Sequence, residues 1–144
     1  MNVQAFGRWL IVAGALVIAA AVAAVLVLTG SPAAQRDAKL DAMRVRDLAR
    51  IEQVAGQHLR RDGSLPATLD DLHDGELQRA DRVTGAPYGY TVTGPRSLRL
   101  CAHFATDSSD VLRAAEPWMR RDWPHGIGEA CFERTLATGA QAGE

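Results

Sequence analysis

The chain has 144 residues, with 16 basic and 17 acidic side chains and a formal charge of -1. Such a balance excludes a broad electrostatic attraction to nucleic acid, and no nucleic-acid partner is expected. Beyond residue 30, what remains has the size of one ordinary domain with a single core.

Residues 1–8 form a short N-terminal tail in which Arg8 is the one basic side chain. From Trp9 to Leu28 there follow 20 residues without a charged or strongly polar side chain, rich in Ala, Val, Leu and Ile. At about 1.5 Å per residue, a helix of this length spans roughly 30 Å, the thickness of a bilayer's hydrocarbon core. In lipid only helices and closed barrels satisfy their backbone groups, so a transmembrane helix is predicted over 9–28, with membrane lipid as its partner. Trp9 and Arg8 suit the interface and the headgroups. The competing reading is a signal peptide cut near Ser31-Pro32-Ala33, which would remove residues 1–33. The apolar run exceeds the usual signal core of about 7 to 15 residues and has a thin positive flank, which favours a retained anchor.

Two arguments about orientation oppose each other. Arg36, Lys39, Arg44 and Arg46 follow the run while Arg8 precedes it, and positive charge tends to stay cytoplasmic. The cysteine pair described below favours an oxidising compartment outside.

Gly30, Ser31 and Pro32 carry the signals of a helix end, a cap and a first helical position. From Ala33 to about Arg61, Leu40, Met43, Leu48, Ile51, Val54, Ala55 and Leu59 recur at helical spacing among Arg and Asp, which predicts an amphipathic helix stopped at Asp62-Gly63. His58, beside the stripe, reads as a packed, hydrogen-bonded histidine. Ser64 to Leu72 reads as a turn and a brief helix capped by Thr68 or Ser64. Asp70, Asp71 and Asp74 lack the alternation and glycine of a calcium loop and read as a solvated face.

Thr84-Gly85-Ala86-Pro87 is a turn, followed by the alternating run Tyr88 to Val92, the turn Thr93-Gly94-Pro95, and the run Ser97 to Phe104. These runs predict an antiparallel hairpin. In the second strand Leu98, Leu100, Ala102 and Phe104 share the core face, and Arg99, Cys101 and His103 the other. Asp107 to Arg113 is polar and irregular. Pro117 to Gly128 reads as a structured loop whose Trp118 and Trp123, set beside glycines, are candidate contact residues, with core placement as the alternative. Cys131-Phe132 begins a final short strand, and 138–144 reads as a disordered tail.

Cys101 and Cys131 stand 30 positions apart without a CxxC pattern. Three states are open to them. A disulfide would tie the tryptophan loop to the sheet and stabilise by about 3 to 4 kcal/mol through loop-closure entropy. Free buried thiols are the second. The third is a tetrahedral metal site built with His103 and His125, whose two sulfurs and two nitrogens suit zinc although the spacing matches no familiar motif. A cysteine nucleophile served by His103 or His125 would make a thiol enzyme, but neither cysteine has a flanking cation or helix N-terminus to lower its pKa. Phosphate loops, nucleophile elbows and HExxH pairs are missing from the sequence. No catalytic residue and no cofactor is expected.

The element order resembles that of type IV pilins, and especially the pseudopilins of type II secretion systems. The features that carry the likeness are an apolar helix leading into an amphipathic one, then Gly63-Ser64-Leu65-Pro66-Ala67-Thr68-Leu69-Asp70-Asp71-Leu72, then Asp81-Arg82-Val83-Thr84-Gly85-Ala86-Pro87-Tyr88-Gly89-Tyr90 and a strand. The resemblance implies an α+β domain, residues 31–137, in which the soluble helix packs on a small antiparallel sheet. It also implies a bacterial inner-membrane protein with its domain in the periplasm, acting as a non-enzymatic binding or assembly component with a protein partner. Residues before the apolar run depart from the family by lacking a basic leader and a cleavage signature, and the run contains no glutamate for filament registry. The shape therefore carries over more readily than a role as a minor pseudopilin of a secretion or pilus apparatus, which is the alternative reading.

Overall fold

The computed structural model describes residues 3–29, 31–109 and 116–137. The chain divides into two units, residues 1–36 and 37–144.

Helix α1, Val3–Thr29, dominates the first unit and is long and apolar enough to cross a membrane by length and composition. Its large side chains lie open, with Trp9 at 75 % and Ile11 at 73 % exposure. Such a surface is stable in a lipid environment and costly in water.

The second unit, which contains helix α2, Pro32–Asp62, from Asp37 onward, is an α+β domain. Helix α2 opens with Ser31, whose hydroxyl accepts the Ala34 amide at 3.2 Å, and ends at Gly63, which adopts φ +76°. A left-handed residue there satisfies the last carbonyls, and the Gly63 amide donates to the Leu59 carbonyl at 3.0 Å. The sheet has three strands in the order β1-β2-β3, formed by Gly89–Gly94, Ser97–Phe104 and Gly128–Thr135, antiparallel throughout. Leu98, Leu100, Ala102 and Phe104 face inward as their alternation requires, and they share one core with Val45, Leu48, Ile51, Val54, Ala55 and Leu59 of α2. A single 3₁₀ turn at Leu69–Asp71 begins where the Thr68 amide and hydroxyl both donate to the Asp71 carboxylate at 2.9 Å. Of the other acids, Asp74 accepts from Arg50 at 2.8 Å.

Several expectations are corrected. The buried stripe of α2 includes Val45 and leaves Met43 exposed, because Asp41 and Arg44 take the inward positions of that turn. Part of the stretch read as a loop is helix α3, Pro117–Asp122, with proline at its start and Arg120 and Arg121 in its last turn. Strand β3 starts three residues earlier than Cys131, because β2 offers it partners from Ser97↔Thr135 to Phe104↔Gly128. The hairpin strand β1 runs to Gly94, with a register irregularity between Val92 and Gly94. Most of the irregular stretch 107–113, from residue 110, and the tail 138–144 lie outside the described residues.

Candidate functional site

The first cysteine faces the second directly. Cys101 pairs with Cys131 across β2 and β3, and the two form a disulfide with Cα atoms 4.1 Å apart. Both belong to the alternate set of positions that points away from the core. The bridge therefore staples adjacent strands on the outward face, and the loop of tryptophans is held by other means. Trp123 is 2 % exposed and meets Phe132 edge-on at 4.9 Å between ring centroids, with the Arg134 guanidinium over its ring at 4.6 Å from the centroid. It is a core residue, which removes it as a contact residue. Trp118 is half-buried and donates its indole N–H to Glu116 at 2.6 Å.

His103 lies on the outward face, opposite Glu129 in the ladder. His125 does not join it. Its ring stacks on Phe104 with centroids 3.8 Å apart, and Phe104 points inward, so His125 sits on the other side of the sheet from the sulfurs. The four-residue ligand set expected from Cys101, His103, His125 and Cys131 is thus not assembled. The group that does converge is Cys101, Cys131 and Glu129, so a carboxylate stands beside the sulfurs where two histidines were expected, a neighbour that spacing alone did not suggest. His58 lies between the Ser64 carbonyl, 3.0 Å from Nδ1, and the Asp62 carboxylate, 3.2 Å from Nε2.

Next to the bridge runs a groove of about 480 Å³, bounded by the Asp81 to Pro87 turn on one side and by Gly89, Cys101, His103 and Glu129 on the other. Its volume falls in the range of ligand pockets, about 300 to 1,000 Å³. Gly89 is required where it stands, since a Cβ there would lie 2.8 Å from the Cys101 Cβ. The turn is fixed from beneath. Asp81 accepts the amides of Val83 at 2.7 Å and Thr84 at 2.8 Å, while its other oxygen accepts from the Arg44 guanidinium. Burial pushes the Asp81 carboxyl pKa up, but the Arg44 contact and the two amides outweigh it and hold the group at about 2.

Arg44 also donates to Asp41 at 2.6 Å. Asp41, 2 % exposed, accepts in addition the amides of Ala105 and Thr106 and the Thr106 hydroxyl, at 2.6 to 3.1 Å. One turn further along α2, Asp47 accepts the Tyr88 hydroxyl at 3.0 Å and Arg82 at 3.1 Å. Burial, and then the Asp47 charge, push the Tyr88 hydroxyl pKa upward. Three polar residues of one helix face thus position both the Asp81 turn and the end of β2. No role for Asp41, Asp47 or Asp81 was legible in the sequence; the available signal for the first two was their helical spacing beside Arg44 at positions that leave Met43 outside, and Asp81, in a turn far along the chain, offered no such spacing.

No protein-family model, no curated protein and no solved structure matches this chain. The described elements have the pilin-like order of an apolar N-terminal helix followed by a small antiparallel sheet.

Proposed function

We propose that this is a bitopic inner-membrane protein, held by α1, whose pilin-like domain lies in the periplasm and binds a protein partner without catalysing a reaction. The groove between the Asp81 turn and the outward face of the sheet is the binding surface. The observation that carries this reading is the conjunction of an apolar helix open along its length with a disulfide on a solvent-facing sheet, since such a bridge persists where conditions are oxidising. The groove supports the location, because the turn on one side of it is held by a buried polar framework and Gly89 leaves it free of a side chain at that point.

Topology is tested by fusing alkaline phosphatase or a green fluorescent protein to the C-terminus. Active phosphatase and a dark fluorophore are expected, and bright fluorescence with inactive phosphatase ends the periplasmic reading. For the groove, a photo-crosslinking residue at Thr84 should capture one discrete partner, while the same residue at Gln57 on the exposed side of α2 should not. Equal capture from both positions removes the groove as the binding surface.

A further inference from the structure

Cys101, Cys131 and Glu129 converge on the outward face of the sheet, each offering one ligand atom within 4.8 Å of the others. Cys131 and Glu129 are exposed and Cys101 is half-buried, so solvent reaches the cluster. Exposed disulfides are the ones that thiols reduce readily. Ladder pairing continues on both sides of the bridge, through Arg99↔Glu133 and Ala102↔Ala130, and therefore does not depend on the sulfur bond alone. Opening that bond leaves two thiols facing each other beside a carboxylate, and Gly89 puts no side chain over them.

We propose that this cluster is a redox-gated site for a thiophilic divalent cation of the zinc class, closed while Cys101 and Cys131 are bridged and open when they are reduced. The reductant is a dithiol. It gives two electrons and two protons, the sulfur–sulfur bond breaks, two cysteine thiols form, and the dithiol leaves as its own disulfide. The cation then displaces both thiol protons to solvent. Two thiolates at about 2.3 Å and the Glu129 carboxylate at about 2.1 Å fill three tetrahedral positions, and the fourth is left to water. Sulfurs sharing such a cation stand about 3.8 Å apart, a separation that side-chain rotation on adjacent strands supplies without shifting the register. Cysteine sulfur with a carboxylate favours zinc over calcium or magnesium, which take oxygen alone. The site borders the groove proposed above for a partner and shares Cys101 and Glu129 with it, but metal uptake by the isolated chain is read without that partner and without regard to orientation in the membrane.

The test uses the full-length chain in detergent micelles, reduced with a phosphine that is then removed without oxygen, and titrated with cobalt(II) and zinc(II). The reduced chain should take up one cobalt per chain with a thiolate-to-cobalt charge-transfer absorption that zinc abolishes, and the oxidised chain should take up none. Glu129→Gln should weaken zinc binding by about 10-fold to 100-fold, and Glu76→Gln, on an exposed loop, should leave it unchanged. Circular dichroism should keep its native form on reduction. The proposal fails if the reduced chain binds no more metal than the oxidised one, or if Glu129→Gln binds zinc as tightly as the parent. It fails equally if reduction melts the domain, because the ligands would then belong to an unfolded chain and not to the sheet.

Discussion

The two halves of α2 within the domain bury their inward faces by different means. From Leu48 to Leu59 that face is apolar, and Leu48, Ile51 and Ala55 are completely buried in the core. Between Asp41 and Asp47 it is largely charged and nearly as well covered, with Asp41 at 2 % and Arg44 and Asp47 at 9 % exposure. Apolar burial is non-directional, so the second half fixes only that the helix lies on the sheet. Buried charge is tolerated only with its partners in place, so the first half also fixes where the Asp81 turn and the end of β2 must be. The domain is held together by the apolar half, and its groove is shaped by the polar one.

Asp41→Ala should break this contrast most strongly. It leaves the Ala105 and Thr106 amides and half of Arg44 buried without their acceptor. A loss of about 3 to 5 kcal/mol is expected, as large as that from truncating a core leucine, and urea unfolding followed through Trp123 fluorescence would measure it. Replacing Cys101 and Cys131 together by serine should cost about 3 to 4 kcal/mol in the same assay, acting on the unfolded chain and leaving both halves of α2 untouched.

Acid should act on the polar half first. The Asp81 carboxyl titrates at about 2 in the folded chain, below its ordinary 3.8, so its contribution is complete above pH 4 and is lost as pH falls toward 2. About 2 kcal/mol is at stake, and the loss of stability in that window should be blunted in Asp81→Asn. Tyr88→Phe should cost a smaller 1 to 2 kcal/mol, roughly that of one hydrogen bond to a charged acceptor, because Asp47 keeps Arg82. Arg99→Ala should change stability by less than about 1 kcal/mol, since its pair with Glu133 is half exposed on the outward face. A large effect there would show that the outward face carries structural weight.

Legibility followed the same division. Apolar periodicity marked α2 and β2 within a residue or two, and it assigned Leu98, Leu100, Ala102 and Phe104 to the correct face, because burial of one face imposes a period that any sequence must display. The uninterrupted apolar run marked the end of α1 but not its start, which lies six residues before Trp9, because a helix continues past the residues that suit lipid. Helix α3 was not visible, since six residues hold less than two helical turns and its stability comes from Met119 and the neighbouring Trp123 in the core. His125 read as a partner of the cysteines because it is near Cys131 along the chain, yet the strand between them places it on Phe104 instead. Glu129 went unnoticed for the complementary reason, being a common surface acid until β3 sets it beside the sulfurs.

By itself, the sequence determined an apolar segment long enough to span a bilayer, one amphipathic helix and an inward strand face, all of which are periodic properties of contiguous residues. Tertiary structure alone decided that Asp41, Arg44 and Asp81 share charge in the interior, that the cysteines stand opposite each other on an exposed face, and that a groove opens beside them. Those are meetings of residues distant along the chain. No local pattern encodes them, because the free energy that selects them belongs to the pair and not to either residue alone.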